Sequence, residues 1–169
     1  ACVTSVEYTV RFNSNETSPF KPTRGLRQGD PLSPYLFLLC AEGLSALIEH
    51  EEEQGRLLGV QVCRDSPKIS HLLFTDDSLI LMRADSANAH SLKSVLDEYC
   101  SASGQMVSVA QSSIFFSPNT DVDVKAEVCQ VLDIMTESLS EKYLGLPSMI
   151  GVDRTDCFLH LTERIQKLI

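Results

Sequence analysis

Apolar positions along this chain follow two periods, and the switch between them divides it into helices and strands. Leu92, Val95, Leu96 and Tyr99 recur at the i, i+3, i+4, i+7 spacing. That spacing predicts an amphipathic helix over residues 86–103, with Gly104 as its stop. Val124, Val128, Val131 and Leu132 place a second helix over residues 121–132, and Phe158, Leu161, Ile165 and Leu168 stripe a last one. A longer helix is predicted over residues 34–54, with Ser33 as N-cap, Pro34 in the first helical position and Gly55 as terminator. Its first half (Tyr35, Leu36, Phe37, Leu38, Leu39, Cys40, Ala41) is apolar nearly all round and is expected to be buried. Its second half turns amphipathic through Leu44, Leu47 and Ile48.

The shorter apolar runs read as strands. Residues 3–12 lead into the turn cluster Asn13-Ser14-Asn15-Glu16 and a short extended return to Phe20, where Pro19 and Pro22 suggest a sheet edge. Further extended segments are expected at residues 57–63, 106–109, 113–117 and 142–147. Between them, His71-Leu72-Leu73-Phe74 and Ser78-Leu79-Ile80-Leu81-Met82 flank Thr75-Asp76-Asp77. Two strand-length apolar runs around a short polar break predict a hairpin, and such uninterrupted runs suit strands covered on both faces. Adjacent hairpins among helices favour an α+β fold, with helices packed on one face of a mainly antiparallel sheet.

Composition narrows the class. At 169 residues, with 43% hydrophobic and 22% charged positions, the chain is one ordinary globular domain and not a disordered tract. No apolar run approaches the roughly 20 residues of a membrane span, and no signal peptide is visible, so an intracellular protein without a membrane partner is expected. Cys2, Cys40, Cys63, Cys100, Cys129 and Cys157 are scattered, as are the four histidines, which points to neither zinc nor a disulfide framework. The net charge of −9 argues against autonomous nucleic-acid binding, which usually needs a basic stripe. It is compatible with a metal-bearing unit whose basic partners lie elsewhere in a longer chain.

Asp76 and Asp77 are the first candidates for chemistry. Neighbouring carboxylates repel, and a divalent cation relieves the repulsion. Mg²⁺ suits such hard oxygen ligands and typically takes only one or two protein carboxylates, leaving other positions to water and phosphate. Asp-Asp in a turn also has a plainer explanation, because Asp side chains hydrogen-bond the local backbone. A nucleotide-hydrolysing Mg²⁺ strand would need a Gly-x-x-x-x-Gly-Lys-Ser/Thr loop, which is absent, and there is no Gly-x-Ser-x-Gly elbow. The second candidate is Arg24-Gly25-Leu26-Arg27-Gln28-Gly29-Asp30-Pro31-Leu32-Ser33-Pro34, which also reads as a loop that caps the helix after it.

That eleven-residue segment, then Phe74-Thr75-Asp76-Asp77-Ser78, then Lys142-Tyr143-Leu144-Gly145-Leu146-Pro147-Ser148 resemble, in order and spacing, the palm of a reverse transcriptase. The likeness is to LINE-type (non-LTR) retrotransposons of plants, and it covers essentially the whole chain. It implies an RNA-directed DNA polymerase with a palm over residues 1–150 and the start of a thumb-like helix over 151–169. The implied reaction is phosphoryl transfer: a primer 3′-hydroxyl attacks a deoxynucleotide α-phosphate and pyrophosphate leaves, with two metal ions about 3.5–4 Å apart clamping the reacting oxygens. By this resemblance Asp76 is the principal ligand for Mg²⁺, with Mn²⁺ as a substitute, and Asp77 assists. Arg27, Gln28 and Gly29 would lie along the nascent base pair, and Tyr143, Leu144 and Gly145 would position the primer end. The implied partners are an RNA template, a DNA primer, deoxynucleoside triphosphates and the fingers and thumb of a longer polyprotein; the implied location is the nucleus.

Three departures qualify that expectation. The family's first metal-binding Asp lies in a segment that would precede Ala1. A family Lys before the strand at Ser113 is replaced by Gln111, which cannot act as a general acid. Thr75 replaces the usual small apolar residue beside Asp76, a change expected to be mild because Thr forms strands readily. These residues alone are therefore expected to be inactive, and to leave wet apolar surface where fingers and thumb would sit. The alternative is a non-catalytic remnant or scaffold module that keeps the palm fold.

Overall fold

The computed structural model describes residues 6–135, the backbone of 142–143 and 146–147, and Gln166. Its element order is β1 (Arg11–Phe12), β2 (Asn15–Glu16), α1 (Ser33–Glu53), β3 (Val60–Gln61), β4 (Lys68–Ile69), β5 (His71–Phe74), β6 (Asp77–Ile80), α2 (Ser86–Ser103), α3 (Val122–Leu132), β7 (Lys142–Tyr143) and β8 (Leu146–Pro147). A short 3₁₀ turn, Val109–Gln111, follows α2. This is the α+β class that the pattern predicts, with every ladder antiparallel. Among the described residues the strands form separate two-stranded pairs, β1-β2, β3-β4, β5-β6 and β7-β8.

The helices begin and end where local chemistry dictates. The Asp85 carboxylate accepts the Asn88 N–H at 2.8 Å and starts α2, and Gly104, at φ +72°, closes it. Asp121 caps α3 by accepting the Asp123 N–H at 2.9 Å. Helix α1 matches its expected span, but Ser33 is not its cap. The residue before the helix is Leu32, without a side-chain cap, and the Ser33 hydroxyl donates instead to the Arg27 carbonyl at 2.7 Å.

The core joins α1, α2 and α3. Leu44 and Ile48 of α1, Ala89, Leu92 and Val95 of α2, and Val128 and Leu132 of α3 meet Leu57 and Phe116 in one buried cluster. Each large side chain fully removed from water there contributes about 1.5–3 kcal/mol. The first half of α1 departs from its expected burial: Tyr35, Leu38 and Leu39 are 67%, 59% and 69% exposed. Helix α2 packs along the later turns of α1, and no described element covers the earlier ones.

The strands are shorter than their apolar runs suggest. Residues 6–12 pair only at an isolated Tyr8↔Phe20 bridge and at Arg11↔Glu16 and Phe12↔Asn15. Between those two pairings the returning chain holds one extra residue around Ser18 and Pro19, a bulge at a position where Pro has no N–H to offer the ladder. Residues 57–63 shrink to β3, residues 106–109 form no strand among the described residues, and residues 113–117 hold an isolated bridge at Ile114. Where a single strand is expected over 142–147, residues 142–143 and 146–147 pair with each other, Lys142↔Pro147 and Tyr143↔Leu146. The last expected helix lies outside the described residues, apart from Gln166.

Candidate metal-binding hairpin

Strands β5 and β6 pair His71↔Ile80, Leu72↔Leu79, Leu73↔Ser78 and Phe74↔Asp77, which leaves Thr75 and Asp76 as a two-residue turn. Alternation then sorts the side chains. Leu73 and Ile80 pack against the core cluster. On the other face, Leu72 and Phe74 remain 46% and 53% exposed. The strands are thus covered on one face, not on both as expected. Asp77 lies opposite Phe74 and so emerges on the open face, while Asp76 occupies the tip; both are exposed.

Thr75 sits at φ +50°. A positive φ at the first turn residue and not at the second is the II′ pattern, which favours Gly at that first position. For a β-branched residue it is a costly conformation. The expectation that Thr75 is a mild change, argued from its strand propensity, is therefore corrected: Thr75 is a turn residue, and strand preference does not bear on it. Its hydroxyl donates to Asp76 Oδ1 at 2.9 Å, which orients the carboxylate at the tip.

The base of the hairpin is held by polar contacts. His71 Nε2 lies 3.0 Å from Ser45 Oγ on α1, and His71 Nδ1 lies 3.0 Å from Ser70 Oγ. The Ser70 hydroxyl, on a residue only 3% exposed, donates to Glu52 Oε2 at 2.6 Å. Beyond the hairpin, the Leu81 N–H donates to the Ser70 carbonyl at 2.7 Å. None of Ser45, Glu52, Ser70 or His71 stands out in the sequence as functional. The available signal is His71 itself, a polar residue at an inward position of an otherwise apolar run.

Arg27, Gln28 and Gly29 form a turn that leads into α1. The Asp30 N–H donates to the Arg27 carbonyl at 3.3 Å, and Gly29, at φ +81°, occupies the third turn position, as a type II turn requires. A β-carbon at Gly29 would meet no atom of the described chain within 4 Å, so within the fold this glycine supplies a backbone conformation. Asp30 Oδ1 accepts the Leu32 N–H at 2.8 Å, fixing the loop locally. Arg24 and Arg27 border a cleft of about 120 Å³ whose walls include Tyr8, Asp30 and Leu36.

Asp76 and Asp77 are brought together at one hairpin tip. Among the described residues no hydrogen bond or ion pair links them to residues 27–30, and neither carboxylate has a cationic partner. No group of three or more His, Cys, Asp or Glu among the described residues could hold a metal ion, so this site offers a pair of carboxylates. Gln111 is exposed in the 3₁₀ turn. Tyr143 lies in β7, and Leu144 and Gly145 lie outside the described residues. Among the described residues no helix is long and apolar enough to cross a membrane.

Comparison with known proteins gives this hairpin a context. The chain is 65% identical over 57 residues to an uncharacterized mitochondrial protein of Arabidopsis thaliana, a match covering 34% of this chain and 47% of that protein. It is 29% identical over 142 residues to an uncharacterized 149 kDa protein of transposon TX1 from Xenopus laevis, covering 84% of this chain and 10% of that protein. The matched regions thus span less than half of either curated relative. The family profile described as reverse transcriptase (RNA-dependent DNA polymerase) matches residues 2–148, which takes in the loop before α1, the Asp-Asp hairpin and β7-β8. The chain belongs to the reverse transcriptase (RNA-dependent DNA polymerase) family.

Proposed function

We propose that this chain is palm sequence of a LINE-type RNA-directed DNA polymerase, and that Asp76 and Asp77 are its share of a divalent-metal site. The observation that carries the reading is the placement of both carboxylates at the exposed tip of a hairpin whose inner face is packed on the core. Two hard oxygen donors without a cationic partner suit Mg²⁺ or Mn²⁺, which leaves further positions to water and phosphate. When bound, the cation neutralises charge on a phosphoryl group in transfer.

The remaining roles fall to the chain's own side chains. Asp77, beside Phe74 and Leu72, faces the open side of the hairpin, where a primer end would lie against an apolar floor. Arg27 carries a guanidinium at the rim of the cleft before α1, suited to a template or nucleotide phosphate. Gln28, exposed in the same turn, offers hydrogen bonds to a base, and Gly29 sets the turn that presents both. Tyr143, Leu144 and Gly145 would position the primer. The substrates are an RNA template, a DNA primer and deoxynucleoside triphosphates, and fingers and thumb would come from a longer polypeptide. With two carboxylates at the hairpin tip and no group of three or more metal ligands among the described residues, the chain by itself is expected not to polymerise.

The test is primer extension on an RNA template by the complete polypeptide that carries this sequence. Asp76→Ala and Asp77→Ala are each expected to abolish Mg²⁺-dependent extension. Extension equal to the parent in both variants removes the hairpin from the reaction.

A further inference from the structure

The hydrogen-bond chain at the hairpin base has a direction. Glu52 can only accept, so the Ser70 hydroxyl spends its proton there. Ser70 Oγ can then accept from His71 Nδ1–H, which leaves Nε2 of a neutral ring to accept from the Ser45 hydroxyl. Every member is satisfied in this arrangement, and the chain links the middle of α1, its last turn and the first residue of β5. Glu52 is also seated tightly. A β-carbon at Gly59 would lie 2.7 Å from Glu52 Oε1 and 2.8 Å from the Ile69 carbonyl oxygen, so the missing side chain makes room for the carboxylate. Among the described residues no cation pairs with Glu52. Its neighbour Glu51 takes Arg56.

We propose that His71 is a positioning residue for the Asp76-Asp77 hairpin: its ring, held by Ser45 through Nε2 and by the Ser70-Glu52 pair through Nδ1, sets the angle at which the hairpin leaves α1. The inference rests on the metal-site reading of the two aspartates. Leverage makes it matter. At about 3.3 Å per residue, the tip stands roughly 15 Å from His71, so a small rotation at the base becomes a shift of order 1 Å at the carboxylates. Apolar packing of Leu73 and Ile80 holds the hairpin against the core without fixing that rotation, because such contacts are non-directional. The hydrogen bonds are directional.

The test uses Mn²⁺ alone as probe, titrated into the chain and followed by water-proton relaxation, with thermal midpoints measured alongside. The parent and an Asp76→Ala/Asp77→Ala double variant define the hairpin-dependent binding. His71→Ala is expected to weaken that binding about 3- to 10-fold. His71→Asn, whose amide nitrogen can donate in the place of Nδ1–H, and His71→Gln, whose amide oxygen can accept from Ser45 in the place of Nε2, each keep one arm and are expected to restore most of the affinity. A purely structural histidine would lower the thermal midpoint without this pattern of rescue. Unchanged Mn²⁺ affinity in His71→Ala overturns the inference, as does failure of both amide variants to rescue. If His71→Ala does not fold, the amide variants decide: affinity within about twofold of the parent in either supports the assignment, and loss in both overturns it. If the parent binds no more Mn²⁺ than the double aspartate variant, the metal-site reading itself fails and the positioning role falls with it.

Discussion

Asn88 Oδ1 accepts the backbone N–H of Leu58 at 2.6 Å, tying the first turn of α2 to the segment that follows α1. Asn88 is 3% exposed, and its amide nitrogen donates in turn to Asp85 Oδ1 at 2.8 Å. Asn88→Ala leaves the Leu58 donor without a partner and is expected to cost about 1–3 kcal/mol. The midpoint of urea unfolding measures it; a change below about 0.5 kcal/mol would mean that water replaces the amide at no loss.

Thr75 carries a backbone cost at the hairpin tip. Thr75→Gly is expected to raise stability by about 1 kcal/mol, because glycine adopts the positive φ of the first turn residue without steric penalty. The same chemical denaturation experiment checks it. A fall in stability would show that the hydroxyl contact to Asp76 outweighs the strain.

Gly59→Ala tests the seat of Glu52. The added carbon would press on the Ile69 carbonyl as well as on the carboxylate, so β3 and β4 must separate or the Glu52–Ser70 bond must break. A loss of about 1–3 kcal/mol is expected, with faster amide hydrogen exchange at Val60 and Ile69. Exchange rates equal to the parent's would mean the junction yields freely.

Asp85 gives the fold an acid limb. Burial works to raise its carboxyl, but hydrogen bonds from the Asn88 side chain and backbone, the Arg83 charge and the Ala87 N–H outweigh it and hold the group below its ordinary value of 3.8. A carboxyl depressed on folding stabilises in full above its unfolded value, and that contribution fades as pH falls through the folded value. Unfolding midpoints are therefore expected to be level from pH 7 to about pH 5 and to drop below about pH 4. Glu51, lowered chiefly by the hydrogen bond from Arg56, contributes in the same sense. Asp85→Asn keeps a capping oxygen without the charge and is expected to shallow the drop; an unchanged slope would assign the limb to other carboxylates.

The helices were legible because their ends are written in adjacent residues. Asp85 and Gly104 bracket α2, and Asp121 opens α3, each by a contact within a few positions in the chain. The hairpin around Asp76 and Asp77 was legible for the same reason. Strand extent was not, since it depends on partners elsewhere: residues 3–12 look uniformly extended in the sequence, yet among the described residues 6–12 the ladder holds only at Tyr8, Arg11 and Phe12. Burial along α1 failed likewise, because an apolar run does not say which of its turns a neighbour will cover. His71 meets Ser45 across twenty-six positions, and no local pattern announces that contact.

The two-residue turn leaves the hairpin no slack. Side chains alternate strictly beyond it, so the count from Phe74 to Asp77 decides which way the second carboxylate looks. One codon gained there, with the two-residue turn kept, would slip β6 by one residue, turning Asp77 to the side of Leu73 and turning Ile80 away from the core, an acid exchanged for oil. Such an insertion keeps the reading frame and every other residue, yet it takes the second carboxylate off the open face of the hairpin.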